Sequence, residues 1–207
     1  MKRCVLIGGF SKETQVENNI HKRIVELIDK DIPNFLYIGL ASSYADSKYD
    51  QIKKIYQKLN CNTKHLKKSN VVNNPNIVKE KIKNADIIYI YGGDTLKLLD
   101  YVKRYEIAPL LEEAYNKGTT LVGYSAGAIL LSIAGLSDSY ILRGEKDTYE
   151  FVEGLKIEDI IICPHYTKEK EKIIKDKKIK NVYKIHNDTA LIIENHNIKK
   201  IEIIESK

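Results

Sequence analysis

The chain has 207 residues, 43% hydrophobic and 30% charged, with a formal net charge of +6. A chain of that size buries a core without covalent staples, and its balance excludes the disordered and collagen-like classes. No run approaches the roughly 20 apolar residues of a membrane span. Cys4, Cys61 and Cys163 are odd in number and lack CxxC spacing, which argues against a disulfide framework or a zinc knuckle and for free thiols. Thirty of the 34 basic residues are scattered lysines, so the positive charge does not read as a nucleic-acid surface. The basic start Met1-Lys2-Arg3 leads into an apolar run too short for a signal peptide, and a cytoplasmic location is expected.

In chain order, short apolar runs alternate with longer amphipathic ones, the pattern of a parallel α/β sheet. Strands are predicted over residues 3–8, 35–40, 85–91, 120–124 and 160–163, with a shorter one at 63–67. Helices are predicted over 16–30, 48–59, 75–83, 95–103 and 106–117, and an apolar helix over 126–134. Residues 135–154 show no period and read as irregular, while 168–180, with lysines interleaved with acids and isoleucines, reads as a solvated amphipathic helix. Strands at 182–184, 190–194 and 198–204 close the chain, the last two forming an antiparallel hairpin through Asn195-His196-Asn197. The expected architecture is one α/β domain over 1–207: a doubly wound, mostly parallel sheet with a C-terminal antiparallel hairpin.

Chemistry concentrates at the carboxyl ends of these strands. Gly123-Tyr124-Ser125-Ala126-Gly127 ends a buried strand and opens a helix, the setting in which G-x-S-x-G presents a serine nucleophile. A helix-capping serine fits the same five residues. Tyr91-Gly92-Gly93-Asp94-Thr95 is a second strand-to-helix junction whose glycines can expose backbone N–H groups at the same sheet edge, so Gly92 or Gly93, with Ala126, is a candidate oxyanion donor.

A serine nucleophile needs a base. His165 follows the predicted strand 160–163 through Pro164 and is the candidate, with His186 behind it. His21, His65 and His196 read as surface residues, and Cys163 as a buried strand cysteine. The acid that orients the base is left open between Asp138 and Asp188.

With Gly92-Gly93-Asp94-Thr95, Gly123-Tyr124-Ser125-Ala126-Gly127, Pro164-His165 forty residues after the serine, and Asp188-Thr189-Ala190-Leu191, the chain resembles the dipeptidase E family of serine peptidases. Cyanophycinases are similar at a greater distance. The resemblance implies a flavodoxin-like fold of the class I glutamine amidotransferase type, with serine in place of the elbow cysteine. It implies Ser125 as nucleophile, His165 as base, Gly93 and Ala126 as oxyanion donors, and Asp138 as acid with Asp188 as the alternative. The implied substrate is a short peptide, with neither metal nor cofactor required, and the protein is expected as a monomer or homodimer. Aspartyl dipeptidases of the family hold an N-terminal aspartate with an arginine downstream of the histidine, whereas the segment after His165 carries lysines and no arginine. Lys168, Lys170, Lys172 and Arg143 are the remaining cations for such a role. The rival readings are a small esterase and a non-enzymatic small-molecule binding module on the same fold.

Overall fold

Five short segments form the parallel part of a sheet, four of them apolar on both faces and the fifth, the edge strand Asn62–Leu66, buried only at His65 and Leu66. They are β1 (Arg3–Ile7), β2 (Asn34–Ile38), β3 (Asn62–Leu66), β4 (Ile87–Ile90) and β5 (Thr120–Tyr124) in a computed structural model that describes residues 1–11 and 15–198. Alternation along each strand sorts the side chains between two cores. Val5, Ile7, Phe35, Tyr37, Ile87, Tyr89 and Val122 face α1 (Gln15–Glu26) and α2 (Ala45–Lys58). Cys4, Leu6, Leu36, Ile38, Ile88, Ile90 and Leu121 face the opposite way. That second core also takes residues from α3 (Lys68–Asn73), α4 (Pro75–Lys83), α5 (Thr95–Arg104), α6 (Ile107–Asn116) and α7 (Ala126–Leu131).

The region expected to be irregular folds instead. It contains β6 (Ala134–Ser137), α8 (Ser139–Leu142) and β7 (Glu150–Glu153), followed by β8 (Ile161–Cys163), α9 (Lys168–Asp176) and β9 (Val182–Lys184). β6 to β9 form a separate four-stranded sheet in the order β7-β6-β8-β9, so the strand expected over 160–163 does not join the main sheet. This small sheet covers only Leu136, Cys163 and Ile174 as a core of its own, too few apolar positions to leave a readable period. The helix expected over 126–134 stops at Leu131 because Ser132 turns extended, its hydroxyl bonding Ile129 O at 2.9 Å.

β10 (Ala190–Glu194) returns antiparallel against β1, and β11 (Asn197–Ile198) pairs with β10, giving the main sheet the order β11-β10-β1-β5-β4-β2-β3. Asn195 and His196, with φ of 50° and 60°, make the two-residue turn of the expected hairpin. Residues 199–204 of its predicted second strand lie outside the described residues. Among the described residues no helix is long and apolar enough to cross a membrane.

At the junction of β5 and α7 the backbones are too close for side chains. A Cβ on Gly127 would stand 2.1 Å from Ile90 O, and one on Gly123 would stand 2.4 Å from Gly127 O. Gly127→Ala is therefore expected to cost at least the ~1–3 kcal/mol of an overpacked core, read as a lowered urea midpoint. An unchanged midpoint would show that the junction can widen.

Candidate active site

Only one residue separates β5 from α7, and it belongs to both. The Ser125 N–H donates to Ile7 O at 3.0 Å, extending the sheet ladder, while its carbonyl accepts from Ala128 N and Ile129 N at 2.9 and 3.1 Å. Turning from strand to helix in one residue forces φ 54° and ψ −112°, a conformation rarely adopted by a residue with a Cβ. The hydroxyl is thereby held at the carboxyl edge of the sheet, where β1 is followed by Gly8-Gly9 and β4, after Tyr91, by Gly92-Gly93.

His165 arrives from the small sheet. It follows β8 through Pro164, takes φ 48°, and donates its N–H to Gly8 O at 3.0 Å, while Tyr166 N donates to Ile185 O at 3.1 Å. Its imidazole Nε2 lies 2.9 Å from Ser125 Oγ and its Nδ1 lies 2.7 Å from Asn187 Oδ1. Gly9 forms the shelf beneath this pair. A Cβ there would fall 2.1 Å from His165 Cε1 and 2.6 Å from Asn187 Oδ1.

The acid expected at Asp138 or Asp188 does not occupy the Nδ1 position. Asp188 donates its backbone N–H to Gly9 O at 2.8 Å and turns its carboxylate to the Ser11 amide at 3.2 Å and to the Ser11 hydroxyl. Asp138 is exposed and acts on His165 only through space. Burial lowers the His165 pKa and the nearby Lys170 charge adds to this, against the opposing effects of the Asn187 bond and Asp138.

Gly92 and Gly93 lie against the elbow. A Cβ on Gly92 would meet Ser125 Cβ at 3.1 Å and Ala126 N at 3.3 Å, and Gly93 has φ 127° over Ala41. Asp94 caps α5 by accepting from Lys97 N at 3.2 Å and also accepts from Arg143 Nε at 2.8 Å. Burial would raise its carboxyl, but the bonds from Arg143 and Lys97 hold it below the usual range. Behind this turn, Thr95, Ser137 and Ser139 share a buried hydroxyl network in which Thr95 N donates to Ser139 Oγ at 2.7 Å.

The four candidate cations are not equivalent. Arg143 is bonded to Asp94, and Lys168 and Lys172 are exposed on α9. Lys170 is 7% exposed, donates to Pro164 O at 3.0 Å, and lies 4.7 Å from the Tyr149 ring centroid. Cys163 is buried, with its thiol pushed up to about 11 by burial. His21 and His65, expected at the surface, are 0% and 7% exposed within the aromatic core of the α1/α2 face, while His196 is exposed. Among the described residues no group of three or more His, Cys, Asp or Glu side chains is placed to hold a metal ion.

If the elbow stores strain, Ser125→Gly should be more stable than Ser125→Ala by about 1–3 kcal/mol, since both lack the hydroxyl and only glycine adopts this φ freely. Chemical denaturation of the two variants measures the difference, and equal midpoints would rule the strain out.

Comparison with known proteins gives the family and the fold. The profile of the family described as Peptidase family S51 matches residues 4–201. An uncharacterized peptidase, YgaJ, of Bacillus subtilis (strain 168) is 25% identical over 173 residues, covering 83% of this chain and 72% of that one. Peptidase E of Shewanella sp. (strain W3-18-1) is 38% identical over 90 residues, 42% of this chain, and the match spans only 36% of that protein's length. The fold is shared with a candidate peptidase E from Listeria monocytogenes EGD-e, with a TM-score of 0.70 at 23% identity over 95% of this chain and 96% of that one. It is also shared with a peptidase from an acI-B1 Actinobacterium, with a TM-score of 0.69 at 24% identity over 93% and 83% of the two chains. Matched by the family profile over nearly its whole length, the chain belongs to peptidase family S51.

Proposed function

We propose that this family S51 peptidase cleaves short peptides through an acyl-enzyme on Ser125. The observation that carries the reading is the relay Ser125 Oγ, His165 Nε2, His165 Nδ1, Asn187 Oδ1, with contacts of 2.9 and 2.7 Å at its two ends. Asn187 accepts the Nδ1–H through its amide oxygen, which leaves the Nε2 lone pair facing the serine. As Oγ attacks the peptide carbonyl carbon, Nε2 takes its proton. The carbonyl oxygen becomes an oxyanion received by the Gly93 and Ala126 N–H groups. His165 then gives the proton to the leaving amine, the C–N bond breaks, and water, deprotonated by the same imidazole, releases the acid and restores the serine.

Asn187 makes this relay electrostatically unlike one closed by a carboxylate. A neutral amide fixes the tautomer but contributes no negative charge to stabilise the imidazolium that forms during attack. An N-terminal aspartate also lacks a ready partner in Arg143 or Lys170, which already bond Asp94 and Pro164 O, so aspartate-first cleavage is not the favoured specificity.

Wild type and Ser125→Ala should be assayed side by side on an N-terminally varied dipeptide set that includes Asp-X members. Hydrolysis is expected from the wild type and from Ser125→Ala only at background. Full activity in Ser125→Ala would overturn the mechanism. The reaction requires neutral His165, whose pKa is lowered, so kcat/KM should hold down to acidic pH and fall as pH drops through a value below the ordinary histidine range. Asn187→Asp places a charge beside Nδ1 and should move that acidic limb upward by about 1 unit or more. A pH profile of kcat/KM that does not move would remove Asn187 from the relay.

A further inference from the structure

On the tyrosine-bearing face of the main sheet, next to the elbow, lies a cavity of about 180 Å³ bounded by Phe10, Glu17, Lys48, Tyr89, Tyr91 and Tyr124. Its wall is continuous with the candidate site. Tyr91 immediately precedes Gly92-Gly93, Tyr124 immediately precedes Ser125, and the Tyr124 ring stands edge-on to His165 at 6.4 Å.

Polar groups at the cavity wall and just behind it are incompletely paired. Tyr89 and His21 are both 0% exposed, yet among the described residues the Tyr89 hydroxyl and His21 Nε2 have no hydrogen-bond partner. The two rings are 5.6 Å apart, and Glu17 Oε1 lies 3.7 Å from that same Nε2. Buried polar atoms are costly to leave unpaired, so the hydroxyl of Tyr89, a residue lining the cavity, marks where a polar group of a ligand fits. His21 Nδ1 lies 3.1 Å from Tyr56 Oη. Tyr91 and Tyr124 add electron-rich faces, stacked at 5.2 Å and 1°.

The charged side chains that line the cavity are Glu17 and Lys48. Lys48, at the rim, donates to Gln51 Oε1 at 2.9 Å, and the Ser11 hydroxyl is given to Asp188. Burial is the larger cause of the raised hydroxyl pKa values of Tyr89, Tyr91 and Tyr124, but the Glu17 charge also raises each of them.

The geometry points to a cation subsite: the cavity receives an ammonium or guanidinium group on the substrate residue adjoining the scissile bond, held by Glu17 and the Tyr89 hydroxyl. Its place in the reaction rests on the peptidase reading, whereas the binding itself can be tested apart from it.

The Ser125→Ala protein should be titrated calorimetrically with Lys-Ala, Ala-Lys, Leu-Ala and Ala-Leu. One lysine dipeptide is expected to bind about 10-fold or more tightly than its leucine counterpart, and Glu17→Gln or Tyr89→Phe in the same background should shrink that ratio. Equal affinities, or a lysine preference that survives both substitutions, overturn the subsite. In the wild type the same preference should appear in kcat/KM. Ser125-dependent cleavage with no cation preference overturns the subsite alone. Cation-selective binding without Ser125-dependent cleavage supports the subsite and overturns the mechanism.

Discussion

The β5–α7 junction must change secondary structure within a single residue, and the rest of the site is arranged around that constraint. Ser125 gives its N–H to the sheet and its carbonyl to the helix, so neither end of the residue is free to relax. The approach is possible only because Gly123 and Gly127 have no Cβ where Ile90 and the helix backbone press closest. Strain of this kind persists where surrounding structure overdetermines it. Here β1 and β4, almost wholly buried and paired to either side of β5, supply the rigidity.

A serine held this way is chemically inert without a partner, and the partner comes from different architecture. His165 is carried by the small sheet, whereas Asn187 sits just before β10, the strand that returns antiparallel to β1. The two meet over Gly8-Gly9. Gly8 O takes the His165 N–H, Gly9 O takes the Asp188 N–H, and the missing Gly9 Cβ leaves room for the imidazole and the amide. One dipeptide at the end of the first strand thus aligns segments from late in the chain.

The electrostatics suit a histidine kept neutral. Lys170 is buried beneath the Pro164-His165 turn, where its ammonium both fastens Pro164 O and disfavours a second positive charge on the imidazole. Asn187 holds the ring without offsetting that effect by a full charge. On the other side of the elbow, the α1/α2 face mixes tyrosines and two histidines with its aliphatic residues, which puts hydroxyls and π faces near the site.

Local signals in the sequence were sufficient for the parallel α/β core and for Ser125, because a buried strand, a Gly-x-Ser-x-Gly turn and an apolar helix are encoded within about a dozen consecutive residues. His165 was legible for a similar reason, following a short apolar run through a proline. The partner of its Nδ1 was not legible. Residue type favoured a carboxylate at Asp138 or Asp188, but the pairing of β10 with β1 puts Asn187 beside His165 and turns Asp188 toward Ser11. Of the small sheet, β8 and β9 were legible as strands, whereas β6 and β7, four residues each, are too short to leave a period, and the buried positions of His21 and His65 were missed because a single histidine on an amphipathic segment carries no periodic signal. The main-sheet strands, the helices that pack on them and the residue that turns at the elbow are specified by neighbours along the chain, and so could be read from it. Tertiary structure alone decided what stands next to His165 and what lines the cavity beside it, since those contacts join residues brought together only by strand pairing and sheet packing.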